Sequence, residues 1–276
     1  MSVFIICFCK LVSGRMKIGL IGCGNLGSSL LRGLLKTGAV NAKELVVADI
    51  DEKKLETMRK LGAETTKDAK RAAEADVIFI AVKPDLVGKI LDEIREVSKG
   101  KLIVSVAAGV STRFIEDRTD ARVIRVMPNI CALTAEMASC FCLGTKASED
   151  DRELVEELLS SLGVTFKVDE QMMDAVTGLS GSGPAYFYLV IKALREVGIE
   201  LGLPEDVALK LAAQTAKGAG EMVLRSGRAL DELIDMVCSP KGTTIEGLKV
   251  LRDRRVPESF KEAVKAAARR SKELSR

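Results

Sequence analysis

The stretch KIGLIGCGNLG, residues 17–27, predicts the fold of the first half of the chain. Its apolar residues Ile18–Ile21 are typical of a strand buried on both faces. The glycines that follow form the pattern GxGxxG and precede leucines at four-residue spacing, as in an amphipathic helix. In this context Gly22 permits a tight turn, Gly24 lets the backbone approach a pyrophosphate, and Gly27 lets helix and strand pack closely. The helix N-terminus adds N–H groups and partial positive charge for the phosphates. A glycine turn without a ligand is the alternative.

Short apolar runs alternate with helical segments from Lys17 to about Val168. The runs are rich in Val and Ile and lie at residues 18–21, 45–48, 77–82, 102–106 and 123–126. Helical patterns lie between them at residues 26–36, 52–61 and 86–97. This alternation predicts an α/β domain of Rossmann type with a doubly wound parallel sheet.

The chain changes character after about Gln171. Segments rich in Ala, Gly and Leu predict helices at residues 185–201, 205–226, 229–237 and 259–275. We therefore predict a dinucleotide-binding domain at residues 16–170 and an all-α C-terminal substrate and dimerisation domain at 171–276. A helical domain of this size buries its apolar faces most readily against a second copy, so we expect a homodimer. Residues 1–15 are predicted to be an extension outside the fold, or to precede a translation start at Met16; a signal peptide is the alternative.

Composition limits the chemistry. The 276 residues are 47% hydrophobic and 29% charged, a globular balance with material for about two domains. No histidine is present, which excludes every mechanism that needs an imidazole. A net charge of +3 argues against a nucleic-acid binder. The seven cysteines include no CxxC pair, so we expect buried free thiols in a reducing cytoplasm and no metal site. No stretch is long and apolar enough for a membrane helix, so no membrane partner is expected.

Further candidate residues follow the other predicted strands. Asp49 ends the second run about 22 residues after Gly27, where an acid accepts hydrogen bonds from ribose hydroxyls and repels a 2′-phosphate, which favours NADH. Lys83 is placed to reach the ribose or phosphate, and a solvated loop lysine is the alternative. The small residues Ala107 and Ala108 leave room for a nicotinamide ring. Asn129 is expected to orient the carboxamide or the substrate.

Several motifs together resemble those of the pyrroline-5-carboxylate reductase family. They are GCGNLG at 22–27, AVKP at 81–84, SVAAG at 105–109, RVMPN at 125–129, DAVTGLSGSGPAYFY at 174–188 and CSPKGTTIEGL at 238–248. The last two are the most specific, because a generic Rossmann protein has no reason to carry both in a helical domain. The resemblance implies reduction of 1-pyrroline-5-carboxylate to L-proline with NADPH or NADH, the last step of proline biosynthesis. It also implies dimers that assemble into larger rings.

The resemblance also implies roles for individual positions. The cofactor phosphates would lie against Gly22, Gly24, Asn25, Leu26 and Gly27. Its ribose and nicotinamide would lie beside Ala81, Val82, Lys83, Pro84, Ala107 and Ala108. The substrate would be held by Ser239, Gly242, Thr243 and Thr244, with Glu170 near the ligands and Ser182 at the border of the site. The chain departs from the family at Ile130 and Cys131, where Thr-Pro is usual, and at Lys241, where Gly is usual.

The absence of histidine is compatible with reduction of an imine. A protonated cyclic C=N bond is already electrophilic, and hydride addition discharges it, so the protein mainly orients the reactants. Thr244 is the predicted catalytic residue, because its hydroxyl can hydrogen-bond the ring nitrogen. Ordinary helix capping is the alternative role of Thr243 and Thr244, and of Ser182. Two other functions stay open: a related two-domain dehydrogenase for another small acid or imine, and a non-catalytic nicotinamide sensor.

Overall fold

The computed structural model describes residues 16–274, so the predicted extension at residues 1–15 lies outside the described residues. Within them, eight strands form one sheet in the order β3-β2-β1-β4-β5-β6-β7-β8. The strands are β1 Ile18–Ile21, β2 Leu45–Ala48, β3 Glu64–Thr66, β4 Val77–Ile80, β5 Leu102–Ser105, β6 Arg122–Met127, β7 Met137–Leu143 and β8 Gly163–Lys167. Neighbours are parallel except β6 and β7, which are antiparallel. The predicted doubly wound sheet is confirmed, with this one antiparallel pair added.

Helices cover both faces of the sheet. They are α1 Asn25–Thr37, α2 Glu52–Lys60, α3 Ala69–Ala73, α4 Pro84–Ile94, α5 Thr112–Glu116, α6 Glu149–Ser160 and α7 Met173–Val176. Strand alternation explains the two layers: Val77 and Phe79 of β4 pack into one core, and Ile78 and Ile80 pack into the other. Because successive strand side chains point to opposite faces, a strand buried in both cores must be apolar throughout.

The C-terminal part is helical, as predicted. Its helices are α8 Gly183–Glu200, α9 Glu205–Ser226, α10 Leu230–Met236, α11 Thr243–Asp253 and α12 Val256–Leu274. α11 is not among the four helices predicted from the sequence, where only the capping alternative for Thr243 and Thr244 indicates a helix start. α12 begins at Val256, three residues before the predicted start. No helix among the described residues has both the length and the apolar character needed to cross a bilayer.

The chain divides into two compact units that differ from the predicted domains. The first contains the described residues through Gly181 and those from Ala266 on, and the second is Ser182–Lys265. The last turns of α12 therefore belong with the sheet. Ser271 is buried and donates a hydrogen bond to the Asp174 carboxylate at 2.6 Å. The functional boundary between residues 170 and 171 stays a prediction.

Candidate functional site

The carboxyl edge of the sheet brings four candidate loops together. The strand order reverses between β1 and β4, which are neighbours although β2 and β3 separate them in sequence. Ligands of open α/β sheets bind at such a switch point, beyond the carboxyl ends of the strands. The loops that start at Gly22, Ala81, Val106 and Pro128 follow β1, β4, β5 and β6 at this edge.

The glycine turn after β1 has the shape that a pyrophosphate requires. Gly22 has φ +97°, and a Cβ there would lie 2.8 Å from the carbonyl of Ala81. A Cβ at Gly27 would lie 2.9 Å from the Ala81 side chain, so this glycine is needed for packing. A Cβ at Gly24 would meet no atom within 4 Å, which shows that this side of the turn is open. The cradle thus fits a dinucleotide.

The start of α1 is also suited to an anion. Gly24 is the N-cap residue, it supplies no side-chain cap, and the first turn contains no acidic residue. The first N–H groups of a helix carry partial positive charge when no side chain satisfies them. Asn25 is exposed and Leu26 is half-buried at this position. We therefore find that the predicted phosphate-binding residues lie together at one uncapped helix N-terminus.

Asp49 lies beside this turn, and both oxygens of its carboxylate accept hydrogen bonds from backbone N–H groups. Its Oδ2 accepts a 2.6 Å hydrogen bond from the Cys23 N–H, and its Oδ1 accepts one of 2.9 Å from the Asp51 N–H. The Lys54 Nζ lies 3.7 Å from the Asp49 Oδ2. Only 8% of the Asp49 side chain is exposed. The acid thus ties the glycine turn to the loop after β2, a role that the sequence does not reveal.

The loops after β4 and β5 form the neighbouring part of the edge. Ala81 and Val82 are half-buried, and the Ala81 N–H donates to the Ile21 carbonyl at 2.8 Å. Lys83 is exposed and is the N-cap residue of α4, with Pro84 in the first turn. Ala81 and Val82 thus lie against the glycine turn, while the predicted contacts of residues 81–84 with ribose and nicotinamide stay predictions.

The loop after β5 is supported by the end of α12. Ala107 is buried, Ala108 is half-buried, and Gly109 has φ +71°. A Cβ at Gly109 would lie 2.9 Å from the carbonyl carbon of Leu274. The close approach of two backbones explains why this position is a glycine. The small residues predicted to flank a nicotinamide are therefore held from behind by the C-terminal helix.

Asn129 is buried, and both ends of its side-chain amide form hydrogen bonds within the protein. Its Oδ1 accepts a hydrogen bond from the Cys131 N–H at 3.0 Å, and its Nδ2 donates to the Ser180 carbonyl at 3.1 Å. The first bond caps the turn Ile130–Thr134, which contains the two departures from the family pattern. The structure gives Asn129 a role in fixing this loop. Its predicted contact with substrate or carboxamide stays a prediction.

Glu170 is the centre of a polar cluster that the sequence does not predict. Its carboxylate accepts hydrogen bonds from the Thr112 N–H at 2.8 Å, the Thr112 hydroxyl at 2.6 Å and the Arg125 Nη1 at 3.1 Å. Burial raises the pKa of the Glu170 carboxyl, but these hydrogen bonds and the Arg125 charge outweigh burial and leave the pKa below its ordinary value. Arg125 within the apolar RVMPN run is the one signal that a buried anion must be nearby.

The second unit holds the remaining candidates in one turn before α11. The Gly242 N–H donates to the Ser239 carbonyl at 2.8 Å, and Gly242 is the N-cap residue. Thr243 and Thr244 are the first two helical residues, so neither is the cap, and neither hydroxyl has a hydrogen-bond partner among residues 16–274. Thr243 is exposed and Thr244 is half-buried. The capping alternative therefore does not account for these two threonines.

Two further positions in this unit correct or extend the predictions. Ser182 is the N-cap residue of α8, but its side chain makes no capping hydrogen bond, so the capping alternative is wrong and its predicted place at the border of the site stays a prediction. Its backbone is helical (φ −86°, ψ −19°), whereas a capping serine has an extended backbone. Lys241 has φ +60°, a left-handed conformation that favours glycine. This explains the usual glycine at that position and makes Lys241 a strained substitution.

The two buried thiols, Cys23 and Cys142, are poorly suited to nucleophilic chemistry. Burial, with the nearby Asp49 charge, raises the pKa of Cys23 to about 11. Burial likewise raises the pKa of Cys142 to about 12. Both thiols therefore stay protonated near neutral pH and are weak nucleophiles. Within the described part of the chain, no group of three Cys, Asp or Glu side chains is placed to hold a metal ion.

Comparison with known proteins identifies the family. Residues 170–274 match the family described as pyrroline-5-carboxylate reductase dimerisation, and residues 17–109 match the family described as NADP oxidoreductase, coenzyme F420-dependent. The pyrroline-5-carboxylate reductase of Methanosarcina acetivorans is 41% identical over 95% of this chain and 99% of its own length. That of Arabidopsis thaliana is 40% identical over 94% of this chain and 95% of its own length.

Solved structures agree with the sequence relatives. The Plasmodium falciparum pyrroline carboxylate reductase with NADP bound has a TM-score of 0.88 at 30% identity and covers 95% of this chain and 99% of its own. The Coxiella burnetii enzyme has a TM-score of 0.85 at 32% identity and covers 95% of this chain and 100% of its own. With relatives this similar over nearly the whole chain, the protein belongs to the pyrroline-5-carboxylate reductase family.

Proposed function

We propose that this protein reduces 1-pyrroline-5-carboxylate to L-proline, as an NAD(P)H-dependent oxidoreductase of proline biosynthesis. The observation that carries the proposal is 41% identity to a pyrroline-5-carboxylate reductase over 95% of the chain. The open glycine turn and uncapped helix at the switch point support a dinucleotide cofactor. When bound, the dinucleotide supplies a hydride to the carbon of the C=N bond and is released in its oxidised form. The imine nitrogen carries one proton before the transfer, so the product is the secondary amine.

The chain's own residues bind and orient the reactants. The first N–H groups of α1, beside Gly24, hold the pyrophosphate without an opposing carboxylate. Ala107 and Ala108 provide a small-residue surface for the nicotinamide ring. No side chain has to donate a proton to an alkoxide, because the iminium is neutralised when its C–H bond forms. The reaction therefore needs no histidine, and the sequence contains none.

The turn before α11 supplies the proposed substrate contacts. The N–H groups at the start of this 11-residue helix, at Thr243 and the residues after it, suit a carboxylate. The half-buried Thr244 hydroxyl, which makes no cap, is available to hydrogen-bond the ring nitrogen. Ser239 holds the turn through its carbonyl, which accepts from the Gly242 N–H. We assign Thr244 as the catalytic residue and Ser239, Gly242 and Thr243 as substrate-binding residues.

The test is a spectrophotometric assay of the purified full chain with pyrroline-5-carboxylate and either NADH or NADPH. Loss of absorbance from the reduced nicotinamide, together with proline detected by mass spectrometry, would support the function. Dinucleotide binding without turnover would favour a sensor. Turnover of other cyclic imines alone would favour a related reductase.

We infer that NADH is used at least as well as NADPH. Asp49 supports this preference, because an acid at the end of β2 accepts hydrogen bonds from ribose hydroxyls. Each Asp49 oxygen accepts one backbone N–H, which leaves a lone pair on each for a ribose hydroxyl. The ratio of kcat/KM for the two cofactors measures the preference.

We also propose that the chain forms a homodimer through its helical unit, and that such dimers assemble into larger rings. The dimerisation family matched at residues 170–274 supports oligomerisation. Large apolar side chains are exposed on α8 and α9 of the isolated chain, among them Phe187, Leu189, Leu211 and Leu224. Exposed apolar surface of this kind marks an interaction site. Light scattering after size-exclusion chromatography measures the assembly. The seven cysteines, without a CxxC pair, support a cytoplasmic location.

A further inference from the structure

We propose that Lys54 is a specificity-determining residue that lets this protein accept a 2′-phosphorylated dinucleotide despite Asp49. The inference rests on the proposed dinucleotide-dependent reduction and deepens it. It concerns the side of the glycine turn where the second strand ends, and the residues that carry it are Asp49, Ile50, Asp51 and Lys54.

The first observation is the position of the Lys54 ammonium. Its Nζ lies 3.7 Å from the Asp49 Oδ2 and 3.9 Å from the Asp51 Oδ2. Two carboxylates and one ammonium give this group a net charge of −1. Among the described residues, Lys54 is the cation that pairs with Asp49. The other cations of α2 that form ion pairs have other partners: Arg59 pairs with Glu52, and Lys60 with Glu56.

The second observation is that Lys54 is exposed, whereas the Asp49 side chain is only 8% exposed and is held by backbone hydrogen bonds. The Lys54 side chain is 44% exposed, so its ammonium remains hydrated and can move on its long stem. Asp49 is fixed by the N–H groups of Cys23 and Asp51. A phosphate on the ribose 2′-oxygen would bring up to two negative charges to this acid. Lys54 can then leave Asp49 and bind the phosphate, while the backbone N–H groups continue to satisfy the acid.

The third observation is an exposed apolar side chain next to Asp49. Ile50 lies between the two acids and is 88% exposed, although it is a large apolar residue only two positions after a buried strand. An exposed apolar side chain beside a polar ribose site suits the face of an adenine ring. The 2′-position of a ribose bound to Asp49 would therefore lie near the Lys54 ammonium.

The test uses calorimetric titration of the full chain with adenosine 2′,5′-bisphosphate and with 5′-AMP, two probes that differ only by the 2′-phosphate. Lys54→Met should weaken binding of the bisphosphate about tenfold and that of 5′-AMP less than about twofold, as expected for loss of one partly exposed charge-assisted contact. Lys54→Arg should retain most of the wild-type affinity for the bisphosphate. The matched control is Lys53→Met, which makes the same charge change on a neighbouring exposed residue that has no ion pair within residues 16–274.

Several results would overturn the inference. One is a Lys54→Met protein whose affinity for the bisphosphate, relative to that for 5′-AMP, equals that of the wild type. Another is an equal loss in Lys53→Met, which would indicate a general charge effect. A third is a wild-type protein that binds 5′-AMP but rejects the bisphosphate. Because binding of these probes does not require an imine, the titration separates this inference from the proposed reaction. A protein that binds both probes but does not reduce pyrroline-5-carboxylate would refute only the function.

Discussion

Removing the Glu170 carboxylate should destabilise the sheet unit by about 2–3 kcal/mol. The Arg125 side chain is only 5% exposed, and its Nη1 lies 3.1 Å from Glu170 Oε1. Glu170→Ala would leave this guanidinium buried without a counter-charge, a change that costs about 3–5 kcal/mol in fully buried pairs. We expect a smaller loss because the Glu170 side chain is 33% exposed, so water can reach part of the gap. Urea unfolding followed by circular dichroism measures the free energy of unfolding.

Two variants and a pH series make this prediction specific. Glu56→Ala is the control, because it removes a carboxylate from an exposed ion pair with Lys60 and should cost less than about 0.5 kcal/mol. Replacing both Arg125 and Glu170 by Met should recover most of the loss, since no charge is then buried. The pKa of Glu170 is lower in the folded protein than its ordinary value of about 4.3. The carboxylate therefore contributes fully to the free energy of unfolding above that pH, and this contribution is lost as the pH falls below it. A loss no larger than that of Glu56→Ala, with a raised KM for substrate, would refute the structural role and favour ligand binding.

Three other predictions concern separate parts of the chain. Gly27→Ala should lower both the melting temperature and dinucleotide affinity, because its Cβ would lie 2.9 Å from a neighbouring side chain; Gly24→Ala, with no atom within 4 Å of its Cβ, should weaken the affinity alone. Equal melting temperatures for the two variants would contradict this. Thr244→Ala should lower kcat/KM about 100-fold with little change in stability, whereas Thr244→Ser should retain most activity; unchanged kinetics would remove the assignment. Asp151→Asn should lower the free energy of unfolding by about 1–2 kcal/mol, since it weakens the 2.7 Å ion pair with Arg122. Burial raises the Asp151 pKa, but pairing outweighs burial and leaves the pKa below its ordinary value. The difference between the two proteins should therefore vanish in acid, where the carboxylate is protonated.

The central strands could be predicted because they are buried on both faces. Ile18–Ile21 and Leu45–Ala48 are continuous apolar runs, and their observed bounds equal the predicted ones. The strand Glu64–Thr66 is short and partly exposed, so it has no apolar run. Met137–Leu143 contains Ala, Ser and Cys where strands usually carry β-branched residues. Gly163–Lys167 is an exposed edge strand whose pairing depends on its neighbour.

The glycine turn could also be predicted from the sequence. Its glycines are needed for the local backbone conformation and close packing, and the GxGxxG pattern shows them directly. The structural roles of Asp49 and Glu170 could not be predicted from the sequence. Both accept hydrogen bonds from residues distant in sequence: Asp49 from Cys23, 26 positions away, and Glu170 from Thr112, 58 positions away. Nothing in the local pattern indicates which backbone N–H a carboxylate will meet after folding.

The return of the last helical turns to the sheet has a practical consequence for anyone who wants to study half of this protein. A polypeptide cut after Gly181 would lack Ser271, which hydrogen-bonds Asp174, and Leu274, which lies against the bend at Gly109. Such a fragment would expose surface that the intact chain covers, directly behind the alanines proposed to flank the nicotinamide. A fusion that appends residues 266–274 through a flexible linker should restore the missing support, and comparison of the two fragments would measure how much the carboxyl-terminal turns contribute.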